Sequence, residues 1–152
     1  MSLLSIGPLR FVIPVMFAMH LAAQNVTAQD LSAQNHASLG ISFAREGKLS
    51  QAEQELREAV RAAPAAAPYR AQLGSVLGLQ EKWKQALQSF QKAIDLAPEN
   101  LDFRRETAAV QWQLGLMPSA EKNLQYVLAR HPGDSGALLL LGLVKERTGD
   151  YA

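Results

Sequence analysis

The sequence contains no cysteine, so it can form neither a disulfide nor a cysteine-ligated metal site. Its 15 basic and 14 acidic residues give a formal net charge of +1, which does not supply the basic surface that nucleic acids require. Histidine clusters at metal-ligand spacing and glycine-rich phosphate-binding motifs are also missing. Because no nucleophile stands with a base at catalytic spacing, we predict a chain that is not an enzyme and needs no cofactor.

The N-terminus has the pattern of an export signal. Arg10 is the only charged residue before Asp30, and an apolar run extends from Phe11 to Ala23. A short basic start, an apolar stretch and small residues at the exit are typical of a secretory signal peptide. The run is shorter than the roughly 20 apolar residues that a membrane-spanning helix needs. We predict a signal peptide over residues 1–28, cleaved after Ala28 or, as second choice, after Ala23; an uncleaved anchor is the alternative.

This pattern predicts the location of the mature protein. We expect an exported protein, periplasmic or secreted, in a bacterium, without membrane attachment once the signal peptide is removed.

The remainder of the chain repeats itself with a fixed period of about 34 residues, a length that indicates a solenoid or an array. The positions in register are Leu39, Leu73, Thr107 and Leu141; Gly40, Gly74, Ala108 and Gly142; Ala52, Ala86 and Ala120; Leu56, Phe90 and Leu124; and Pro64, Pro98 and Pro132. Apolar residues at spacings of three and four predict two helices in each unit, for example over residues 67–80 and 83–96. The small residues are expected to let the two helices approach closely.

Local signals mark where these helices begin and end. The prolines end each second helix, because proline lacks an N–H donor and clashes with the preceding turn. Asn100 and Asp134 are predicted to cap the helices that follow. Ser50 and Glu53 have the spacing of a capping box at the start of the second helix of the first unit.

This pattern resembles the tetratricopeptide repeat, in which a leucine–glycine pair, alanines and a closing proline recur with the same period. The resemblance covers about residues 33–152. It implies an all-α fold, a right-handed α-solenoid of antiparallel helix–turn–helix repeats. We assign the repeats to residues 33–66, 67–100 and 101–134, and the first helix of an incomplete fourth repeat to residues 135–152.

Two features depart from the family pattern. The position that is usually tryptophan-like holds His36, Arg70, Arg104 and Leu138, and the third repeat has Thr107 and Gln111 where large apolar residues are usual. The fourth repeat stops after its first helix and turn, so we expect a C-terminally truncated chain, a fragment of a longer protein. We also expect its last apolar face, formed by Leu140, Leu141 and Val144, to be exposed.

In the resembling family, the first helices of successive repeats line a concave groove that holds peptides or partner helices. By resemblance, the groove residues of this chain are Ile41, Arg45, Leu79, Arg105, Trp112, Leu139 and Leu143. Because this surface is mainly apolar, we predict a protein or peptide partner, with Trp112 as an anchor and the arginines at the rim. Packing between repeats is the competing role for Trp112, and packing is the role expected for Trp83.

Some members of that family grip a C-terminal carboxylate with lysine and asparagine side chains on their first helices. The corresponding positions here hold Ala37, Ile41, Ala71, Ser75 and Arg105, so the resemblance does not imply that clamp.

Two other functions remain open. The repeats could form the N-terminal arm of a longer enzyme or assembly factor whose active domain lies beyond residue 152. They could also form a structural module that self-associates through its exposed C-terminal face.

Overall fold

The part of the chain that the structure describes consists of seven α-helices. The computed structural model describes residues 12–149, with side chains from Ala28 onward. The helices are α1 (Val12–Arg45), α2 (Leu49–Ala62), α3 (Ala67–Leu79), α4 (Trp83–Leu96), α5 (Leu101–Gln113), α6 (Met117–Arg130) and α7 (Ser135–Thr148). The first eleven residues of the predicted signal peptide, and the predicted turn and helix start at residues 150–152, lie outside the described residues. Within the described range, no helix combines the length and the apolar character needed to cross a membrane.

The helices pack as successive hairpins. Helix α1 packs against α2, α3 against α4 and α5 against α6, while each hairpin also contacts the next one along the chain. Helix α7 packs against α6 and α5. The predicted helices at residues 67–80 and 83–96 are confirmed as α3 and α4 to within one residue. The described residues therefore form an all-α solenoid of successive helical hairpins, as the period predicts.

Small residues allow the two helices of a hairpin to approach closely. Ala52 and Ala86 are fully buried where α2 and α4 face their partner helices. A Cβ atom added to Gly40 would lie 2.7 Å from the Cγ of Leu56, and one added to Gly74 would lie 2.9 Å from the ring of Phe90. A side chain at either glycine would therefore push its hairpin apart.

The turn inside each repeat requires a left-handed backbone conformation. Gly47, Gly115 and Gly149 have φ angles of 74°, 76° and 74°, and Glu81 has a φ of 58° at the equivalent position of the second repeat. This conformation brings the Cβ of an ordinary residue close to the carbonyl oxygen and costs about 1–2 kcal/mol. The repeat geometry thus imposes on Glu81 a conformation that glycine adopts easily.

The predicted caps of α5 and α7 are confirmed. The Asn100 side chain accepts a hydrogen bond from the Phe103 amide at 3.1 Å, and the Asp134 side chain accepts one from the Ala137 amide at 2.8 Å. Each cap satisfies an amide that the first turn of a helix leaves without a partner.

The predicted capping box at Ser50 and Glu53 is wrong. Helix α2 begins at Leu49, so Ser50 lies inside the helix, and no described side chain caps its N-terminus. Glu53 instead accepts hydrogen bonds from Lys82 Nζ at 2.7 Å and from Gln80 Nε2 at 3.0 Å. Its carboxylate therefore joins the first repeat to the turn of the second.

The arginines at the tryptophan-like position have a structural role. Arg70 donates two hydrogen bonds, of 3.2 and 3.0 Å, to the carbonyl oxygen of Pro64, and Arg104 binds the carbonyl of Pro98 with the same two lengths. Each arginine ties the first helix of its repeat to the proline turn before it. In the first repeat, His36 Nδ1 instead lies 2.7 Å from a carboxylate oxygen of Glu55 on α2.

The polar substitutions in the third repeat are satisfied within the core. Thr107 is completely buried, and its hydroxyl donates to the carbonyl of Phe103 at 2.6 Å. Gln111 is 8% exposed and accepts a hydrogen bond from Asn123 Nδ2 at 2.9 Å. Buried polar groups with partners carry little penalty, so the third repeat keeps the geometry of the others.

The expected apolar face at the C-terminal end is only partly correct. Val144 was expected to be exposed, and this is wrong: its side chain is 1% exposed because it packs into the cluster of α6 and α7. Leu140 and Leu141 are partly buried against the same cluster. The exposed leucines of this helix are Leu138 and Leu139.

Candidate binding groove

Helices α1, α3, α5 and α7 line three adjoining pockets that together form a groove. The first pocket, of about 300 Å³, is lined mainly by residues of α1 and α3, with Leu56 of α2, and includes Ile41, Arg45 and Leu79. The second, of about 460 Å³, is lined mainly by α3, α5 and α7 and shares Leu79 with the first. The third, of about 280 Å³, shares Trp112 and Leu143 with the second. Because neighbouring pockets share side chains, we treat them as one continuous surface and call it the groove.

Five of the seven groove residues expected from the sequence line these pockets. They are Ile41, Arg45, Leu79, Trp112 and Leu143. Arg105 and Leu139 line none of the three. Leu139 is 69% exposed on α7, outside the pockets.

Arg105 is held in ion pairs. Its guanidinium donates to Asp134 at 2.9 Å and to Asp102 at 2.7 Å. A hydrogen bond from the Ala137 amide lowers the pKa of Asp134, and the Arg105 guanidinium lowers it further, against the opposing effect of burial. Arg105 therefore joins α5 to the cap of α7.

The second pocket is the most apolar part of the groove. Small residues, among them Gly74, Gly78 and Ala109, lie along it, while the side chains of Trp83 and Trp112 form two of its larger borders. Small side chains on the first helices leave space between the repeats, and the rings supply flat apolar walls. This shape suits a large apolar side chain of a partner.

Trp83 was assigned to the core by sequence reasoning, and its place in the pocket was missed. It partly packs against the core cluster of the first two repeats and also borders the second pocket. The signal was its position as the first residue of α4, directly after the turn, where a side chain can reach the groove from a second helix.

Trp112 carries an unsatisfied donor. Its Nε1 atom is buried and has no hydrogen-bond partner among the described residues, and the same is true of the Oε1 atom of Gln72, which lines the first pocket. An unpaired buried polar group costs about 1–3 kcal/mol. Both of these costs fall on side chains that line the groove.

Arg147 closes one edge of the groove. Its Nη1 donates to the carbonyl oxygen of Trp112 at 3.2 Å, and its guanidinium carbon lies 5.4 Å from the centre of the Trp112 ring. Glu106 lines the second pocket, and Arg45 lines the first. The groove therefore combines an apolar centre with charges of both signs at its edges.

The described residues offer no place for a metal. No group of three or more histidine or acidic side chains among residues 28–149 is arranged to hold a metal ion.

Comparison with known families identifies the repeat. The family model described as tetratricopeptide repeat matches residues 38–100, 71–122 and 112–152, which together cover more than half of the chain. The chain belongs to the tetratricopeptide repeat family. A search of curated proteins finds no match to the sequence.

Solved tetratricopeptide repeat structures share the fold. The Arabidopsis OM64 TPR domain has a TM-score of 0.74 at 15% identity, covering 78% of this chain and 98% of that one. The second TPR domain of human RPAP3, solved in complex with an HSP70 peptide, has a TM-score of 0.71 at 22% identity, covering 79% and 98%. A tetratricopeptide repeat protein from Parabacteroides merdae has a TM-score of 0.73 at 25% identity, covering 80% of this chain and 48% of that one.

Proposed function

We propose that the chain is an exported, non-catalytic tetratricopeptide repeat scaffold that binds an apolar segment of a protein or peptide in the groove. The observation that carries the proposal is the second pocket, where Leu79, Trp83, Trp112 and Leu143 surround about 460 Å³ of mainly apolar space. Buried tryptophan is among the side chains that contribute most to binding energy at protein interfaces. A preformed groove also loses little conformational entropy when a partner binds.

We propose a partner that is bound along its apolar side chains and not by a terminal carboxylate. The human RPAP3 domain was solved with an HSP70 peptide, but this chain has few groups that could bind a carboxylate at the clamp positions. Ala37 and Ala71 are buried, and Ser75 donates its hydroxyl to the carbonyl of Ala71 at 3.2 Å. Arg105, the only cation at these positions, is already paired with Asp134 and Asp102.

The proposed export is supported by the residues before Asp30. They combine one basic residue, an apolar run, and Val26 and Ala28 at the −3 and −1 positions before the predicted cleavage site.

Selection from a displayed library of random peptides, followed by affinity measurement with the purified full chain, tests the groove. We expect the selected peptides to share apolar residues and Trp112→Ala to weaken binding by about 2 kcal/mol, or roughly 30-fold. Leu139→Ala is the control, because Leu139 lies on the same set of first helices but outside the pockets. Equal affinities of Trp112→Ala and wild type, with the same thermal unfolding temperature, would reject the groove as the binding surface.

A further inference from the structure

A second cleft lies between α2 and α4 and shares no described lining residue with the groove. It has a volume of about 320 Å³, and its charged residues are Arg57, Arg61, Arg70 and Lys92. No acidic residue in the described part of the chain lines it, and the buried side chain of Leu73 forms part of its apolar portion. We call this surface the basic cleft.

The positive charge of the basic cleft does not follow from the repeat. Moving one repeat period along the chain places Gln91, Asp95 and Tyr126 where the basic cleft has Arg57, Arg61 and Lys92. Only Arg70 has a basic counterpart, Arg104, and both of these arginines bind a proline carbonyl. The other three cations are therefore not positions at which the next repeat also has a basic residue.

Nearby carboxylates neutralise the cleft only in part. Glu53 lies 2.7 Å from Arg57 Nη2 and also 2.7 Å from Lys82 Nζ, so one carboxylate faces two cations. Burial raises the pKa of Glu53, but hydrogen bonds from Lys82, Arg57 and Gln80 outweigh this effect and hold it at about 2. The carboxylate is therefore ionised at neutral pH and pairs with Arg57, whereas Arg70 has no carboxylate within 4 Å among the described residues and donates to the Pro64 carbonyl instead.

The outer cations of the cleft are exposed. Arg61 pairs with Glu58 on its own helix, and Lys92 lies 3.8 Å from Asp95 on its own helix. The side chains of Arg61 and Lys92 are 70% and 60% exposed. Exposed pairs of this kind contribute little to stability, so both cations can turn towards another anion at small cost.

We propose that the basic cleft docks an acidic segment of a protein partner, whose carboxylates pair with Arg61, Arg70 and Lys92 while an apolar side chain packs on Val60 and Leu73. A single small anion would gain little, because Arg61 and Lys92 are largely exposed to water. Several carboxylates on one chain each contribute to the binding free energy. The apolar portion of the cleft also allows that chain to bury an apolar side chain. The cleft thus provides a contact separate from the groove.

Fluorescence anisotropy with the full chain tests this proposal. The probe is a labelled synthetic peptide of repeated Glu-Glu-Leu, compared with Gln-Gln-Leu at low and high salt. We expect the acidic peptide alone to bind, and Arg61→Gln combined with Lys92→Gln to weaken it about fivefold, as the loss of two exposed ion pairs implies. The matched control is Lys84→Gln combined with Lys122→Gln, which removes the same charge outside the cleft and should change affinity less than twofold.

Three results would overturn the proposal. An equal loss of affinity for the acidic peptide in both double variants, with the thermal unfolding temperature unchanged, would mean that binding depends only on the net charge of the protein. Displacement of the labelled peptide by inorganic phosphate, added at a concentration that supplies the same amount of negative charge as the peptide, would mean that the cleft binds small anions. A loss of acidic-peptide binding in Trp112→Ala would place the peptide in the groove, whereas unchanged binding in that variant separates this proposal from the proposed function.

Discussion

Replacing one glycine by alanine at two equivalent positions measures how closely the helices of a repeat are packed. Gly74 and Gly142 are two repeat periods apart and occupy the same helical position in α3 and α7. An added Cβ atom at Gly74 would lie 2.9 Å from two ring carbons of Phe90, whereas at Gly142 no atom of another described helix lies within 4 Å. The two variants therefore carry the same glycine-to-alanine substitution in a helix and differ only in how tightly the new methyl group is packed.

The expected energies follow from two opposing effects. Inside a helix, alanine is more favourable than glycine by about 1 kcal/mol, so Gly142→Ala should raise the free energy of unfolding by up to about 1 kcal/mol. At Gly74 the same gain is opposed by overpacking, which typically costs about 1–3 kcal/mol. Phe90 is 2% exposed and has little room to move away. Since the helix preference cancels in the comparison, Gly74→Ala should be less stable than Gly142→Ala by about 1–3 kcal/mol.

Urea denaturation followed by far-ultraviolet circular dichroism provides the measurement. The midpoints of the two variants should move in opposite directions or by clearly different amounts, while the slopes stay equal to that of the wild type. If Gly74→Ala is as stable as Gly142→Ala, the close approach of α3 and α4 is not what requires glycine there, and the packing argument fails.

Two further predictions concern the turn of the second repeat and the N-terminus. Glu81→Gly should raise the free energy of unfolding by about 0.5–1 kcal/mol, because relief of the left-handed strain at φ 58° outweighs the added conformational entropy of the unfolded chain. If the variant is less stable than the wild type in the same urea titration, the turn does not strain Glu81. The protein expressed in a bacterium with its own N-terminus should have an intact mass that begins at Gln29 and be recovered from the periplasm or the medium; an intact mass that begins at Met1, with the protein in the cytoplasm, would contradict the export proposal.

The repeat period made the fold predictable. Each unit contains its own helical spacing, turn and proline, so the boundaries of α3 and α4 could be placed from the sequence to within one residue. Caps such as Asn100 and Asp134 act over three residues and were equally visible. These features depend on residues close together in the chain, and each occurs in more than one repeat, so they could be recognised from the sequence.

Contacts between long polar side chains were not predictable. Glu53 meets Lys82 across 29 positions in the chain, and Arg105 meets Asp134 across the same distance. Such pairs depend on the side-chain rotamers that neighbouring repeats allow, and no short motif records them. For this reason sequence reasoning interpreted Glu53 as a helix cap and expected Arg105 in the groove.

The groove was only partly predictable, for a similar reason. The family resemblance indicated first-helix residues, and among them Ile41, Leu79 and Trp112 line the pockets. Trp83 reaches the pocket from a second helix, so its contribution depends on the direction of its ring. The expectation that first helices line the groove therefore accounts for the residues of α1, α3, α5 and α7, but it omits Trp83 of α4.

The placement of the indole rings has an optical consequence. Trp83 and Trp112 are the two tryptophans of the chain, and both border the second pocket. Indole emission shifts in colour and intensity with the polarity around the ring, and it can be excited apart from tyrosine. An apolar guest in this pocket would therefore change the surroundings of every indole in the protein, so that the unlabelled chain reports its own occupancy through its native fluorescence.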